Sequence, residues 1–249
     1  MTYDAAEEPE HLAGNVGGAW RIGDTVHRAT GPWTPAVHAL LDFLAPRLDH
    51  IPRVLGFDDE GREVLTYLPG RVLDVATELL TADQLVAVVT WTRTFHAAVA
   101  GFAHPGPWRF PEPPHATIVG HNDIAPYNTC FEGERLVGVF DWDIAGPTTP
   151  LLELAFLAWN GVPLWQDIGP GPAAERITLI AGTYSGVAAR DILDAVPVRI
   201  QRMLDGIPAA AAAGDAGMVT LMGHGEPARS QRLLDGLLGR IPAIAALLG

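Results

Sequence analysis

The chain contains no lysine, and its positive charge is carried by arginine. Its 249 residues include 16 basic residues, all of them arginine, against 29 acidic residues, for a formal net charge of −13. Nucleic-acid-binding proteins need a basic surface, so this balance argues against a nucleic-acid partner. The excess of negative charge favours a cationic substrate instead.

Cysteine and long apolar runs are equally scarce. Cys130 is the single cysteine, so an internal disulfide is excluded, and its place in an apolar segment indicates a small buried residue. No apolar run reaches the roughly 20 residues that a transmembrane helix needs. The acidic, polar N-terminus argues against a secretory signal. We therefore expect a cytoplasmic protein without a membrane partner, with 48% hydrophobic residues to build its core.

The segment 120–146 has two polar clusters joined by an apolar hairpin. Residues 129–131 and 136–140 are predicted to be two short strands around the turn Glu-Gly-Glu. An antiparallel hairpin returns the chain to its starting point. Asn128 opens the first strand and Asp141 closes the second, so both side chains should lie at the same end. An amide oxygen and a carboxylate suit Mg²⁺, which takes its other ligands from water and phosphates.

A carboxylate lies close to this predicted metal site. Asp123 precedes the hairpin in the arrangement H-x-D-x₄-N, which begins at His121 and ends at Asn128. A carboxylate in this place can accept the proton of an attacking hydroxyl. Together with Asp141, the arrangement is typical of a phosphoryl-transfer site.

The motifs HNDIAPYN and FDWD resemble the catalytic and metal loops of the aminoglycoside phosphotransferase and choline kinase family, in particular its actinobacterial members. The resemblance implies an α+β, protein-kinase-like fold of two lobes. A small antiparallel-sheet lobe over residues 1–68 would bind the nucleotide, and a mainly helical lobe over residues 69–249 would carry catalysis and the acceptor. It also implies ATP and Mg²⁺ as cofactors and a small-molecule hydroxyl as acceptor.

The resemblance assigns nucleotide contacts along the first lobe. It places a nucleotide-covering loop at the first hairpin, a phosphate-binding Lys or Arg at the end of the third strand, and an adenine-binding hinge after the fifth. The corresponding residues are Asn15, Gly17 and Gly18, then Arg28, then Thr66, Tyr67 and Leu68. Each also has a plain structural interpretation, as a turn, a strand-edge arginine and a connecting segment.

The glutamate that usually pairs with the phosphate-binding lysine is missing here. Residues 35–44 are predicted to form a helix with Thr34 as its cap, and in kinases this helix carries a glutamate that orients the phosphate-binding base. This helix has none. Either His38 or Asp42 could orient Arg28, or neither does so.

The resemblance gives the second lobe its remaining roles. His121 is expected to buttress the catalytic loop through hydrogen bonds, and Glu153 stands where the family has an aspartate that contacts this loop. The candidates for the acceptor side or the support of the metal are Asp143, Glu153 and Trp159. Asp167 and Glu175 would add carboxylates for an amine, although acidic surfaces also serve solubility alone.

Helical periodicity dominates the rest of the chain. Thr81 and Gln84 form a predicted capping box ahead of an apolar face that runs from Leu85 to Val99. Three further apolar stripes follow between residues 173 and 249. The third comprises Leu233, Leu234, Leu237, Leu238 and Ile241.

Three functions compete at this stage. An ATP- and Mg²⁺-dependent small-molecule kinase accounts for the most residues. A degenerate kinase fold that binds nucleotide or regulates a partner would explain the missing lysine and glutamate. A glycosyltransferase would use Asp141-Trp142-Asp143 as a D-x-D metal site, but it leaves the spacing of Asp123 and Asn128 unexplained.

Overall fold

The computed structural model describes residues 8–12 and 18–248. The predicted turn that includes Asn15 and Gly17 lies outside these residues. The described chain consists of an N-terminal antiparallel sheet followed by a mainly helical part with two small sheets. The predicted α+β class is therefore confirmed.

The N-terminal sheet has five strands in the order β1-β2-β3-β5-β4, all antiparallel to their neighbours. The strands are β1 Glu10–Leu12, β2 Ala19–Ile22, β3 Thr25–Arg28, β4 Val54–Phe57 and β5 Glu63–Thr66. The last residue of β3, Arg28, lies directly opposite Glu63 at the start of β5. This register places the two side chains in an ion pair, with Arg28 Nε 2.9 Å from Glu63 Oε1.

Helix α1, Thr34–Leu44, lies in sequence between β3 and β4 and covers the sheet. The prediction of Thr34 as its cap was wrong. Trp33 holds the N-cap position without a side-chain hydrogen bond, while the Thr34 hydroxyl accepts from the Gly31 N–H at 2.9 Å. Pro35, near the helix start, has no N–H to leave unsatisfied, so the helix tolerates a weak cap.

The second part interleaves short strands and helices. Its elements are β6 Arg71–Val72, α2 Ala82–Ala98, β7 Ile118–Gly120, a 3₁₀ turn at Pro126–Asn128, β8 Thr129–Glu132, β9 Arg135–Val139, β10 Gly146–Thr148, α3 Pro150–Gly161, α4 Pro170–Tyr184, α5 Ala189–Ala212, α6 Ala216–Gly223 and α7 Ala228–Ala245. The sequence predicted the β8–β9 hairpin. It did not reveal β6, β7 or β10, which have two or three residues each and too little pattern to detect.

The predicted apolar stripes form one core that extends from α1 to α7. The fully buried members of the C-terminal stripes are Ile177, Ile180, Ile192, Val196, Ile200 and Leu237. Leu238 is an exception, because 47% of it is exposed. Over the described ranges, no helix combines the length and apolar character needed to cross a membrane.

The capping box of α2 also holds the turn of the β8–β9 hairpin. The Thr81 hydroxyl accepts from the Gln84 N–H at 3.1 Å, and the Gln84 side chain accepts from the Thr81 N–H at 3.1 Å. Gln84 Nε2 then donates to the carbonyl of Gly133 in the β8–β9 turn at 3.0 Å, and the Thr81 hydroxyl contacts Glu134. One pair of residues thus starts a helix and anchors a turn.

Thr81→Ala should lower the free energy of unfolding by about 1 kcal/mol, since an N-cap hydroxyl typically contributes that much. Urea unfolding followed by circular dichroism measures the change. Thr94→Ala is the matched control, because Thr94 is exposed within the same helix and should change stability by less than about 0.5 kcal/mol. Equal stability of the two variants would contradict this role for Thr81.

Candidate active site

The β8–β9 hairpin brings the two proposed metal ligands to one end. Thr129 pairs with Val139, and the N–H of Phe140 donates to the carbonyl of Asn128 at 3.0 Å. Asn128 and Asp141 therefore flank the open end of the hairpin. Asp141 has a φ of 63°, a left-handed conformation that turns the chain sharply after β9.

Asp123 faces the same end, and both of its carboxylate oxygens accept hydrogen bonds. Asn128 Nδ2 donates to Oδ2 at 2.8 Å, and the Tyr127 hydroxyl donates to Oδ1 at 3.2 Å. The 3₁₀ turn at Pro126–Asn128 makes these contacts possible, because it folds residues four and five positions later back onto Asp123. The proposed base and a proposed metal ligand are thus in direct contact.

The electrostatics of Asp123 reflect this crowding. Burial raises the pKa of Asp123 to about 8, with a further rise from the charge of Asp141, while the hydrogen bond from Asn128 acts in the opposite direction. A cation placed between Asp123 and Asp141 would favour the ionised carboxylate and lower this pKa.

His121 is a buried support for the loop. Its Nε2 lies 3.0 Å from the Phe140 carbonyl and its Nδ1 lies 3.2 Å from the Asp123 N–H. These partners assign Nε2 as the donor and Nδ1 as the acceptor. Burial lowers the pKa of His121, so the ring is neutral, and it packs 4.5 Å from the Trp142 ring. It connects the loop to the end of β9.

Glu153, at the start of α3, holds the backbone of the catalytic loop. Its carboxylate accepts from the His121 N–H at 3.2 Å and from the Asn122 N–H, and it also contacts His96 Nε2 at 3.2 Å. His96 is satisfied within the core, since its Nδ1 lies 2.7 Å from the Tyr184 hydroxyl. Burial opposes ionisation of Glu153, but these donors outweigh it and lower its pKa.

Asn122 gives the loop its turn. It has a φ of 64°, which asparagine tolerates better than most residues. Its Nδ2 donates to the carbonyls of Ile144 and Gly146 at 3.2 and 3.1 Å. Asn122 therefore ties the loop that bears Asp123 to the segment that follows Asp143.

Arg28 reaches from the sheet to both carboxylates of the metal loop. Its Nε donates to Glu63 at 2.9 Å, its Nη1 donates to Asp141 at 3.0 Å, and its Nη2 contacts Asp143. Burial opposes the charge, yet the carboxylates of Asp143, Asp141 and Glu63 outweigh it and raise the pKa of Arg28. The guanidinium is therefore permanently charged beside the proposed metal site.

Glu63 is the carboxylate of the N-terminal sheet that pairs with Arg28. It is 2% exposed, and while one oxygen accepts from Arg28, the other lies 2.8 Å from His38 Nε2. His38 thus acts on Arg28 only through Glu63, whereas Asp42 is exposed on α1. Sequence reasoning missed Glu63 because its role depends on strand register; the signal was its position in the strand that pairs with β3.

Asp143 lies between two arginines. Arg28 contacts one oxygen, and Arg109 Nη1 donates to the other at 3.3 Å. Arg109 also donates to both oxygens of Asp215, the N-cap of α6, at 2.8 and 2.9 Å, and its guanidinium lies 4.3 Å from the Trp33 ring centroid. Asp143 and Glu153 are both engaged by protein donors, and their role toward an acceptor stays a prediction.

Arg199 on α5 is a further charged residue that the sequence did not reveal. It is 8% exposed, donates to the Asn122 carbonyl at 2.6 Å and stacks 4.5 Å from the Phe156 ring centroid. Burial lowers its pKa, while the charges of Asp123 and Glu153 act in the opposite direction. A positive charge thus supports the loop from the side of the C-terminal helices.

The remaining candidates lie apart from this cluster or are engaged by the fold. Gly18 has a φ of 68°, a left-handed conformation that favours glycine, and a Cβ there would lie 2.6 Å from His11 Nε2. In the hinge, the N–H groups of Thr66 and Tyr67 donate to the Arg53 and Asp24 carbonyls. The Leu68 carbonyl lies 3.7 Å from Cys130 Sγ, so the predicted hinge also contacts β8.

Trp159 is buried in the core. Only 5% of it is exposed, and it packs within the cluster that joins the C-terminal helices. Its ring therefore offers little surface to a bound acceptor. Trp165 is only half-buried at the edge of the same cluster.

The donor chemistry fits a magnesium ion. The described residues contain no group of three or more His, Cys, Asp or Glu side chains that could hold a metal. Mg²⁺ does not need one, because one or two protein oxygens suffice when waters and phosphates complete the octahedron. Arg28 on Asp141 also marks this end of the hairpin as a place where carboxylates face a cation.

Comparison with known proteins agrees with this geometry. The model of the phosphotransferase enzyme family APH matches residues 108–190. The trifolitoxin immunity protein of Rhizobium leguminosarum bv. trifolii is 32% identical over 185 residues, which span 70% of this chain and 68% of that protein.

Solved structures share the fold at low identity. An amicoumacin kinase, hAmiN, bound to AMP-PNP and Ca²⁺, has a TM-score of 0.66 at 12% identity and covers 94% of this chain and 88% of its own. A choline/ethanolamine kinase family protein from Mesorhizobium loti has a TM-score of 0.59 at 16% identity, covering 97% and 89%. The expected protein-kinase-like fold is confirmed, and the chain belongs to the APH phosphotransferase enzyme family.

Proposed function

We propose that this protein transfers the γ-phosphoryl group of ATP to a hydroxyl of a small molecule. The observation that carries the proposal is the contact of Asp123 with Asn128 at the end of the hairpin that also bears Asp141. A proton acceptor and two oxygen ligands for Mg²⁺ meet there. The nucleotide would lie between residues 1–68 and 69–249, beside Arg28.

The residues divide the work as follows. Asp123 accepts the proton of the acceptor hydroxyl through Oδ1, because the 3.2 Å bond from the partly exposed Tyr127 to this oxygen is longer than the 2.8 Å bond from the buried Asn128 to Oδ2. Asn128 and Asp141 hold Mg²⁺, which when bound neutralises charge on the phosphates. His121, Asn122 and Glu153 keep the loop fixed.

Arg28 supplies the fixed positive charge for the nucleotide phosphates. Its guanidinium already extends to the metal loop, so small rotations bring its donors to a phosphate bound there. Glu63 retains the Nε side of the guanidinium, and His38 retains Glu63. This trio does the work of the Lys–Glu pair of the family.

A coupled nucleotide-turnover screen tests the function. The panel comprises aminoglycosides, choline-like amines, sugars and hydroxylated amino acids, each with ATP and with GTP. Acceptor-dependent turnover supports the proposal. Nucleotide binding without turnover across the panel would favour the degenerate binding module instead, and absence of both binding and turnover would refute the kinase assignment.

Asp123→Asn should lower kcat by about 10²- to 10⁴-fold, the range that a general base contributes. Steady-state turnover with an acceptor from the screen measures it. Asp42→Asn, an exposed carboxylate on α1, is the matched control and should keep the wild-type rate. A fully active Asp123→Asn variant would remove the base from the mechanism.

Glu63→Gln should raise KM for ATP about tenfold. The substitution keeps the shape of the side chain but removes its charge, which competes with Asp141 and Asp143 for Arg28. Arg28 is then held more strongly by Asp141 and Asp143 and is less available to the phosphates of ATP. A charge-assisted hydrogen bond contributes about 1.5–3 kcal/mol. Glu60→Gln, in the exposed turn before β5, is its control. If KM for ATP is unchanged while stability falls, Glu63 supports the sheet alone.

The relative from Rhizobium favours a second, more specific candidate. Its name assigns it immunity to trifolitoxin, and we infer that the acceptor of this protein is a toxic compound that phosphorylation inactivates. The net charge of −13 would attract a cationic compound of this kind.

Expression of the chain in a trifolitoxin-sensitive Rhizobium strain tests this candidate. Protection by the wild-type chain that disappears with Asp123→Asn would support inactivation by phosphoryl transfer. Equal protection by both variants would point to binding alone, and no protection would exclude trifolitoxin as the acceptor. Immunoblots establish that both variants accumulate equally.

A further inference from the structure

Tyr127 is the residue that occupies the reactive side of the proposed base. It lies on the 3₁₀ turn at Pro126–Asn128, is 38% exposed, and donates its hydroxyl to Asp123 Oδ1 at 3.2 Å. Two other tyrosines among the described residues are engaged elsewhere. Tyr184 bonds to His96, and the Tyr67 ring lies under the Arg21 guanidinium.

The position of this hydroxyl coincides with the one an acceptor needs. A general base must lie within hydrogen-bond distance of the proton that it removes. The buried Asn128 holds Oδ2 of Asp123 at 2.8 Å, whereas the longer bond to Oδ1 comes from the partly exposed Tyr127. An acceptor hydroxyl that binds Oδ1 competes with the Tyr127 hydroxyl, and without an acceptor Tyr127 presents a hydroxyl to the base in the manner of a substrate.

We propose that Tyr127 is an autophosphorylation site, which receives the γ-phosphoryl group of bound ATP when no small-molecule acceptor occupies the site. The inference rests on the proposed kinase function. The Tyr127 oxygen forms a bond to the γ-phosphorus, the bond from that phosphorus to the β,γ-bridging oxygen breaks, and ADP leaves. The Tyr127 proton passes to Asp123, so charge and atoms balance without a further reactant.

The surroundings of Tyr127 suit this role. Burial of the hydroxyl and the charge of Asp123 raise the pKa of Tyr127, so the phenol keeps its proton until the base takes it. The exposed part of the ring allows the small movement that brings the oxygen in line with a phosphate held at Asn128 and Asp141. Arg199 contributes a positive charge close to both Tyr127 and Asp123.

The product would block its own site. A phosphate on Tyr127 adds close to two negative charges and three acceptor oxygens. The oxygens would stand between Asp123 and an incoming hydroxyl. Autophosphorylation should therefore cause a progressive loss of acceptor turnover that saturating acceptor prevents.

The test is incubation of the full chain with Mg²⁺ and γ-labelled ATP without acceptor, followed by peptide mapping by mass spectrometry. Phosphate on Tyr127 is the expected result, and it should be lost in Tyr127→Phe and in Asp123→Asn. Tyr184→Phe, whose hydroxyl faces His96, should be labelled at Tyr127 like the wild type. The labelled fraction should not depend on protein concentration, since the transfer occurs within one molecule.

Several results would overturn the inference without touching the kinase assignment. Turnover of ATP with an acceptor, combined with an unmodified Tyr127 in the same preparation, is one. Label on Tyr127 that survives in Asp123→Asn, or that rises with protein concentration, is another. If the chain neither binds nor turns over nucleotide, the kinase function itself fails, and a nucleotide-induced thermal shift identifies that case.

Discussion

The geometry of the site depends on the hydrogen bonds that the buried Glu153 carboxylate accepts. It receives the backbone N–H groups of His121 and Asn122 and the ring of His96, so it connects the loop to α2 and α3. A buried carboxylate is tolerated only when donors surround it. Because the donors are loop amides, their positions are fixed by the packing of the helices.

The packing of the helices therefore also fixes the position of Asp123. Asn122 turns the loop through a left-handed backbone conformation, and the His121 ring accepts from the Asp123 N–H. The 3₁₀ turn then presents Tyr127 and Asn128 to the Asp123 carboxylate. At the other end, the capping box of α2 secures the hairpin turn at Gly133. Both ends of the β8–β9 hairpin are thus held by contacts with helices.

Two arginines neutralise the negative charge that is concentrated around Asp141 and Asp143. Arg28 and Arg109 pair with Asp143, and Arg28 also pairs with Asp141. Without them, neighbouring carboxylates would repel each other in a partly buried site. Arg109 adds a bidentate bond to Asp215, so the metal loop, α6 and Trp33 meet at one guanidinium.

Local features of the site were predictable from the sequence, and long-range ones were not. The hairpin ends, the capping box at Thr81 and Gln84 and the contact of Glu153 with the loop follow from short spacings or from family order. Glu63, Arg109 and Arg199 act through strand register and helix packing, for which a single sequence carries no direct signal. The sequence also left open whether Trp159 lies in the core or faces an acceptor, because its burial is decided by tertiary packing.

The guanidinium of Arg28 has one more consequence. An amine at this position could be acylated or could form an imine with a carbonyl compound, whereas a guanidinium resists both at neutral pH. Covalent reagents that label kinases at their phosphate-binding lysine would therefore not react in this way with this protein, which has no lysine. Selective covalent inhibition would need reagents for the guanidinium, such as dicarbonyls, or for the phenol beside the base.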